Sequence, residues 1–125
     1  MIMTSTTHFV VIDTLNTLTN AKLEDLLLAS STSALELKEH YDGKEYPPIV
    51  YFPRDSVEMD YFQEVVGFTT QCPVKGIATY YNFVGNGQFV ENAAWSYENP
   101  LPESSKIKAC ISFDQSKLNV EISTQ

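Results

Sequence analysis

A chain of 125 residues, 43% hydrophobic and 12% aromatic, suffices for one buried core and is too short for a second domain. Sixteen Asp and Glu against eight Lys and Arg leave a formal net charge of -8, a surface field that repels phosphate backbones and excludes nucleic acid as an expected partner. The first residues carry no positive cluster and no apolar run approaches the roughly 20 residues of a membrane span, so a soluble, cytoplasmic protein with no membrane partner is expected.

Residues 8–13 read as a short strand and residues 14–19, rich in Thr and Asn, as a loop. Residues 21–30 place Leu23, Leu26 and Leu27 at helical spacing behind Asn20, so local pattern leans to a short helix. Residues 34–39 alternate as a strand, and Asp42-Gly43 marks a turn. Pro47-Pro48 and Pro53 bracket an apolar strand at residues 49–52, whereas residues 55–66 mix helical and alternating signals and read as irregular. Residues 78–84 and 88–97 form the strongest hairpin, closed by Gly85-Asn86-Gly87, which supplies positive φ cheaply. Pro102 opens one or two helical turns through Ile107. A second hairpin is expected from residues 109–113 to 118–122 across Asp114-Gln115-Ser116.

Most chemically versatile side chains lie between Thr69 and Tyr97. Cys72, three residues before Lys75, is a candidate nucleophile if the cation lowers its pKa, although neither histidine is close in sequence. The bland reading is a small packed thiol, and Cys110, beside Ile111, reads as core; in a chain without a leader signal both are expected to be reduced. Lys75 before Gly76, and Arg54, the single arginine, could each anchor an anion; the bland readings are a solvated lysine beside a turn glycine and a structural salt bridge of Arg54 with Asp55 or another acid. Strict alternation puts Phe89, Glu91, Ala93, Trp95 and Tyr97 on one strand face, which would set the Glu91 carboxylate beside an aromatic ring. His8, His40, Cys72 and Cys110 are too scattered for zinc, and Glu58 with Asp60 reads as an acidic edge. No metal and no cofactor is expected.

The blocks Pro47-Pro48-Ile49-Val50-Tyr51-Phe52-Pro53-Arg54-Asp55, Thr69-Thr70-Gln71-Cys72-Pro73-Val74-Lys75-Gly76-Ile77-Ala78-Thr79-Tyr80-Tyr81, Glu91-Asn92-Ala93-Ala94-Trp95-Ser96-Tyr97 and Pro100-Leu101-Pro102-Glu103 closely resemble the family numbered 427 among domains of unknown function. The resemblance covers about residues 22–122. It implies a compact, mainly antiparallel β domain of two sheets, similar to tent-like β folds, with one or two short helices. It also implies a hairpin with Glu24-Asp25 at its turn where local periodicity suggests helix. Some members carry a nucleotidyltransferase label, but this chain lacks the Gly-Ser and Asp-x-Asp arrangement that such chemistry needs. The chain departs from the family in its longer start and at Phe113-Asp114, where members commonly show an extra aromatic. Residues 1–21 are therefore expected to form an N-terminal extension and residues 22–125 the β domain.

The reading favoured by these residues is a pocket for a small molecule, walled by Tyr51, Tyr80 and Trp95 and edged by Arg54, Cys72, Lys75 and Glu91. The alternatives are an enzyme of transferase or hydrolase type using Cys72 or Glu91, and a structural or interaction module that forms a homodimer through a strand edge.

Overall fold

Runs of β-branched, aromatic and leucine residues, cut every few positions by Gly, Pro or Asn, make many short strands rather than helices. A computed structural model describes residues 7–125 and contains eleven strands. They are β1 (His8–Thr14), β2 (Thr19–Leu23), β3 (Leu26–Ser31), β4 (Leu35–Tyr41), β5 (Lys44–Glu45), β6 (Ile49–Tyr51), β7 (Phe62–Cys72), β8 (Gly76–Gly85), β9 (Gln88–Ser96), β10 (Ser112–Phe113) and β11 (Val120–Thr124). The helical segments among the described residues are single 3-10 turns at Arg54–Ser56 and Met59–Tyr61 and two 3-10 turns joined across a kink at Ser104 in Pro102–Ile107. None of the helices is long and apolar enough to cross a membrane.

The domain is mainly β and antiparallel, as expected, but hydrogen bonding divides the described strands into three sheets rather than two. β1, β4 and β5 form one sheet, with β6 also on β4; β10, β9, β8 and β7 form a second; β11, β2 and β3 form a third. The second sheet lies between the other two, because consecutive residues of β8 serve different cores. Tyr81 and Phe83 join Leu28, Phe52, Ile111 and Leu118 in the larger core, against β2, β3 and β11. Ala78 and Tyr80 face the smaller core of Leu37, Tyr51, Tyr97 and Ile107, which β1 and β4 cover.

The hairpin implied by the resemblance forms: β2 and β3 pair around Glu24-Asp25, and Glu24 adopts a positive φ of 54°. Burying Ala21, Leu23, Leu28 and Ala29 in the larger core outweighs the weak helical preference of this segment. Residues 62–66, expected to be irregular, begin the long strand β7. Gly85-Asn86-Gly87 turns as predicted, with positive φ at Asn86 and Gly87.

The second predicted hairpin does not form. Ser112 and Phe113 pair with Trp95 and Ala94, whereas residues 120–124 pair with β2. Asp114 redirects the chain between them, its carboxylate accepting from the Ser116 amide at 3.0 Å while its carbonyl accepts from the Leu118 amide at 2.9 Å. Each short strand then finds an open edge with a buried face, which a two-stranded ribbon alone would not offer. Residues 8–21 of the expected extension supply β1 and most of the ladder partner of β11, with β1 paired to β4 from His8 to Thr14. Residues 1–6 of that extension lie outside the described residues.

Candidate functional site

Alternation along β4 sends Leu35, Leu37, Glu39 and Tyr41 to the same side, so a carboxylate continues an otherwise apolar row. Glu39 is held on both oxygens: His8 Nε2 donates to Oε2 at 2.8 Å and Lys75 Nζ donates to Oε1 at 3.1 Å. Lys75 reaches across from the β7–β8 turn, so this ion pair ties the first sheet to the second. Its side chain is only 12% exposed, and Nζ also lies 5.6 Å from the centre of the Tyr97 ring. Burial pushes the Glu39 carboxyl up, but the hydrogen bonds from His8 and Lys75 prevail and hold it below the usual range.

Beside this pair an aromatic strip crosses three neighbouring strands. Tyr80 and Trp95 are direct cross-strand partners, and the Phe68 ring lies 5.1 Å from that of Tyr80. The Tyr80 hydroxyl is 2.8 Å from Thr70 Oγ1. Trp95 Nε1 donates to the Tyr51 hydroxyl at 3.1 Å, with the two rings edge to face at 6.4 Å. Burial pushes both the Tyr51 and Tyr97 phenols well above their usual value, so both stay neutral hydroxyls across the physiological range. Phe68, Lys75, Tyr80, Asn92, Trp95 and Tyr97 line a cavity of about 290 Å³, with Asp114 and Lys117 at its rim. A second hollow of about 400 Å³ adjoins the other side of Glu39, lined by His8, Tyr41, Tyr46 and Pro73.

Of the expected site residues, Tyr51, Cys72, Lys75, Tyr80 and Trp95 gather around the smaller core. Cys72 lies at its margin and opens into a different hollow of about 410 Å³ beside Gln71, Thr79 and Glu98. Both cysteines are free thiols, and among the described residues no hydrogen bond joins the Cys72 sulfur to a base. Burial raises the Cys110 thiol.

Arg54 stands apart, on the opposite face of the second sheet. Its Nε donates to the Ala109 carbonyl at 3.1 Å, and Nη2 donates to the Tyr81 hydroxyl at 3.2 Å, Ser96 Oγ at 3.3 Å and the Glu98 carboxylate. The acid it pairs with is thus Glu98.

Glu91 is exposed and does not line the aromatic cavity. The expected alternation along β9 fails because the strand carries a wide irregularity. Between the pairs Phe83↔Val90 and Tyr81↔Ala94, β8 has one residue and β9 has three. Asn92 takes a φ of 51° there, and its amide nitrogen donates to Asn82 Oδ1 at 2.9 Å. Ala93 and Ala94 are consequently both buried, and it is Asn92 that lines the cavity. Among the described residues no group of acids, His and Cys could hold a metal ion.

Glu39, Phe68, Asn92 and Tyr97 were missed as site residues. A signal existed for Glu39, since Leu35-x-Leu37-x-Glu39 sets a charge on an apolar strand face. None existed for Asn92, whose placement depends on the β9 irregularity.

The Trp95 to Tyr51 bond yields a local test. Trp95→Phe is expected to cost about 1–2 kcal/mol, because it leaves the buried Tyr51 hydroxyl without its donor. Adding Tyr51→Phe is expected to recover part of that loss in urea unfolding. Strictly additive losses would show that the bond carries no coupling.

The family model described as Domain of unknown function (DUF427) matches residues 12–124. None of the curated proteins compared with the chain matches it. A match spanning both cores, the Glu39 to Lys75 ion pair and the aromatic strip places the chain in one family: it belongs to the domain of unknown function family DUF427.

Proposed function

We propose that this protein binds a small molecule in the cleft where the aromatic strip of β7, β8 and β9 meets the Glu39 to Lys75 ion pair. The observation that carries this reading is the convergence of Phe68, Tyr80, Trp95 and Lys75 on one cavity. Exposed aromatic faces beside a few fixed polar groups are the usual makeup of a ligand site. Phe68 is 42% exposed, an apolar ring left open to solvent at the cavity. The binding reading is favoured over catalysis by Cys72 or Glu91, since the thiol bonds no base among the described residues and Glu91 is exposed and does not line the cleft. It is also favoured over a dimer through a strand edge. β7 is the outer strand of its sheet, but its pairing breaks between Glu64 and Thr69, and such breaks blunt edge-to-edge addition.

A fragment library screened by protein-detected NMR tests the proposal. Shift changes are expected to cluster on Phe68, Tyr80, Asn92 and Trp95 and to be lost when Lys75→Met and Trp95→Leu are combined. Changes confined to other surfaces would overturn the reading.

A further inference from the structure

Resting on that reading, we infer that the ligand is a small, flat heteroaromatic ring with an adjacent hydrogen-bond donor and acceptor on one edge and no phosphate. Three features of the cleft argue for this chemistry.

The first is shape. Phe68, Tyr80 and Trp95 come from three adjacent strands and stand on one side of the sheet, so they offer a surface of π faces, the Phe68 ring tilted 52° to that of Tyr80. A ring stacked on such a surface gains contact that a puckered aliphatic ring of equal size does not. The cavity, about 290 Å³, lies at the small end of ligand sites, which run from roughly 300 to 1,000 Å³.

The second is the edge. The β9 irregularity brings Asn92 to the cavity in a left-handed conformation that asparagine tolerates better than most residues. The backbone amide of Asn92 is already committed to Asn82. Its side-chain amide holds a donor and an acceptor side by side, the complement of a lactam-type edge.

The third is charge. The two lysines at the cavity already face carboxylates, Lys75 with Glu39 at 3.1 Å and Lys117 with Asp114 at 3.9 Å. With a net charge of -8 on the whole chain, a polyphosphate would enter against the field and without an uncommitted cation. A cationic ligand likewise finds no uncommitted carboxylate at the cavity, since Asp114 already faces Lys117. An uncharged ring avoids both costs.

Calorimetric titration with three matched probes tests the inference. Carbostyril is flat with a lactam edge, perhydrocarbostyril keeps the lactam without the flat ring, and quinoline keeps the flat ring without the donor. Carbostyril is expected to bind about tenfold more tightly than perhydrocarbostyril and severalfold more tightly than quinoline. Asn92→Gly removes the amide while tolerating the positive φ, and is expected to erase the preference over quinoline but not that over perhydrocarbostyril. Excess pyrophosphate is expected to leave carbostyril bound.

Equal affinity for carbostyril and perhydrocarbostyril would overturn the flat-ring assignment, and displacement by pyrophosphate would overturn the exclusion of phosphate. If none of the probes binds while library fragments still shift Phe68 and Trp95, the ligand class is wrong and the cleft reading survives. If neither probes nor fragments reach the cleft, both fall.

Discussion

Arg54→Met is expected to lower the free energy of unfolding by about 3 kcal/mol, the largest loss from any single polar replacement proposed for this protein. Pro53 and the 3-10 turn Arg54–Ser56 set the guanidinium at the seam between the second sheet and the chain that leads into β10. There it serves the Ala109 carbonyl, the Tyr81 hydroxyl, Ser96 Oγ and Glu98 together. The Tyr81 hydroxyl accepts from Arg54 and donates onward to Glu98 at 3.0 Å, so one deletion strands several groups.

Ser96 is fully buried and loses the guanidinium that donates to its hydroxyl. The cost stays below the sum of four charged hydrogen bonds because the Arg54 and Glu98 side chains are 34% and 38% exposed and water replaces part of what is lost. Methionine keeps the apolar stem, including part of the contact with the Tyr81 ring 5.5 Å away, which isolates the polar contribution. Arg54→Lys is expected to recover less than half, since a point ammonium cannot span partners that a planar fork reaches at once. Guanidinium chloride unfolding measures both variants. A loss below about 1 kcal/mol for methionine would mean that solvent already satisfies these groups. Ligand binding in the cleft is expected to be unchanged in any folded variant, because Arg54 lies on the other face of the sheet.

How far the sequence foretold this arrangement depended on whether a side chain's place follows from local rules. Asn86-Gly87 needs nothing beyond its own φ preferences, and the hairpin it closes was legible at once. Leu23, Leu26 and Leu27 fit a helical period, yet a hairpin forms because the larger core lies within reach of its apolar face, a fact absent from ten residues read alone. The ends of the chain were misread for the same reason. Residues 112–113 and 120–124 each complete a different sheet, and those edges exist only after the rest has folded. Tyr80, Trp95 and Lys75, expected from residue type, line the cavity, whereas Tyr51 is fully buried and does not reach it. Glu91 was misplaced because an irregular strand breaks the alternation rule on which its position depended. Arg54 was misassigned to the same pocket because a face of the sheet cannot be read from sequence proximity to Tyr51.

Glu39→Gln is expected to cost about 2 kcal/mol at neutral pH and to change the acid limb of the stability curve. Removing one partner of a fully buried ion pair costs more than this, but Glu39 is a quarter exposed and the glutamine amide still offers an acceptor to one neighbour. Lys75, only 12% exposed, would be left with an uncompensated charge against the Tyr97 ring. The sign of the pH dependence follows from the carboxyl itself. Its hydrogen bonds with His8 and Lys75 hold it below its ordinary value of 4.5 in the folded protein, so the folded state binds this proton less readily than the unfolded chain. The stability this contributes is therefore fully present above that ordinary value. It is lost as pH falls through the lower folded value. Urea unfolding of the two proteins across the acid range is expected to show a wide gap at neutral pH that narrows steadily on acidification. A gap that stays constant with pH would show that the glutamine acts through packing rather than charge. Because the same carboxylate positions Lys75 at the cavity, probe affinity in the cleft is expected to fall with the variant. It is also expected to fall in the wild type on acidification, with the chain still folded, which ties the ion pair to the site rather than to stability alone.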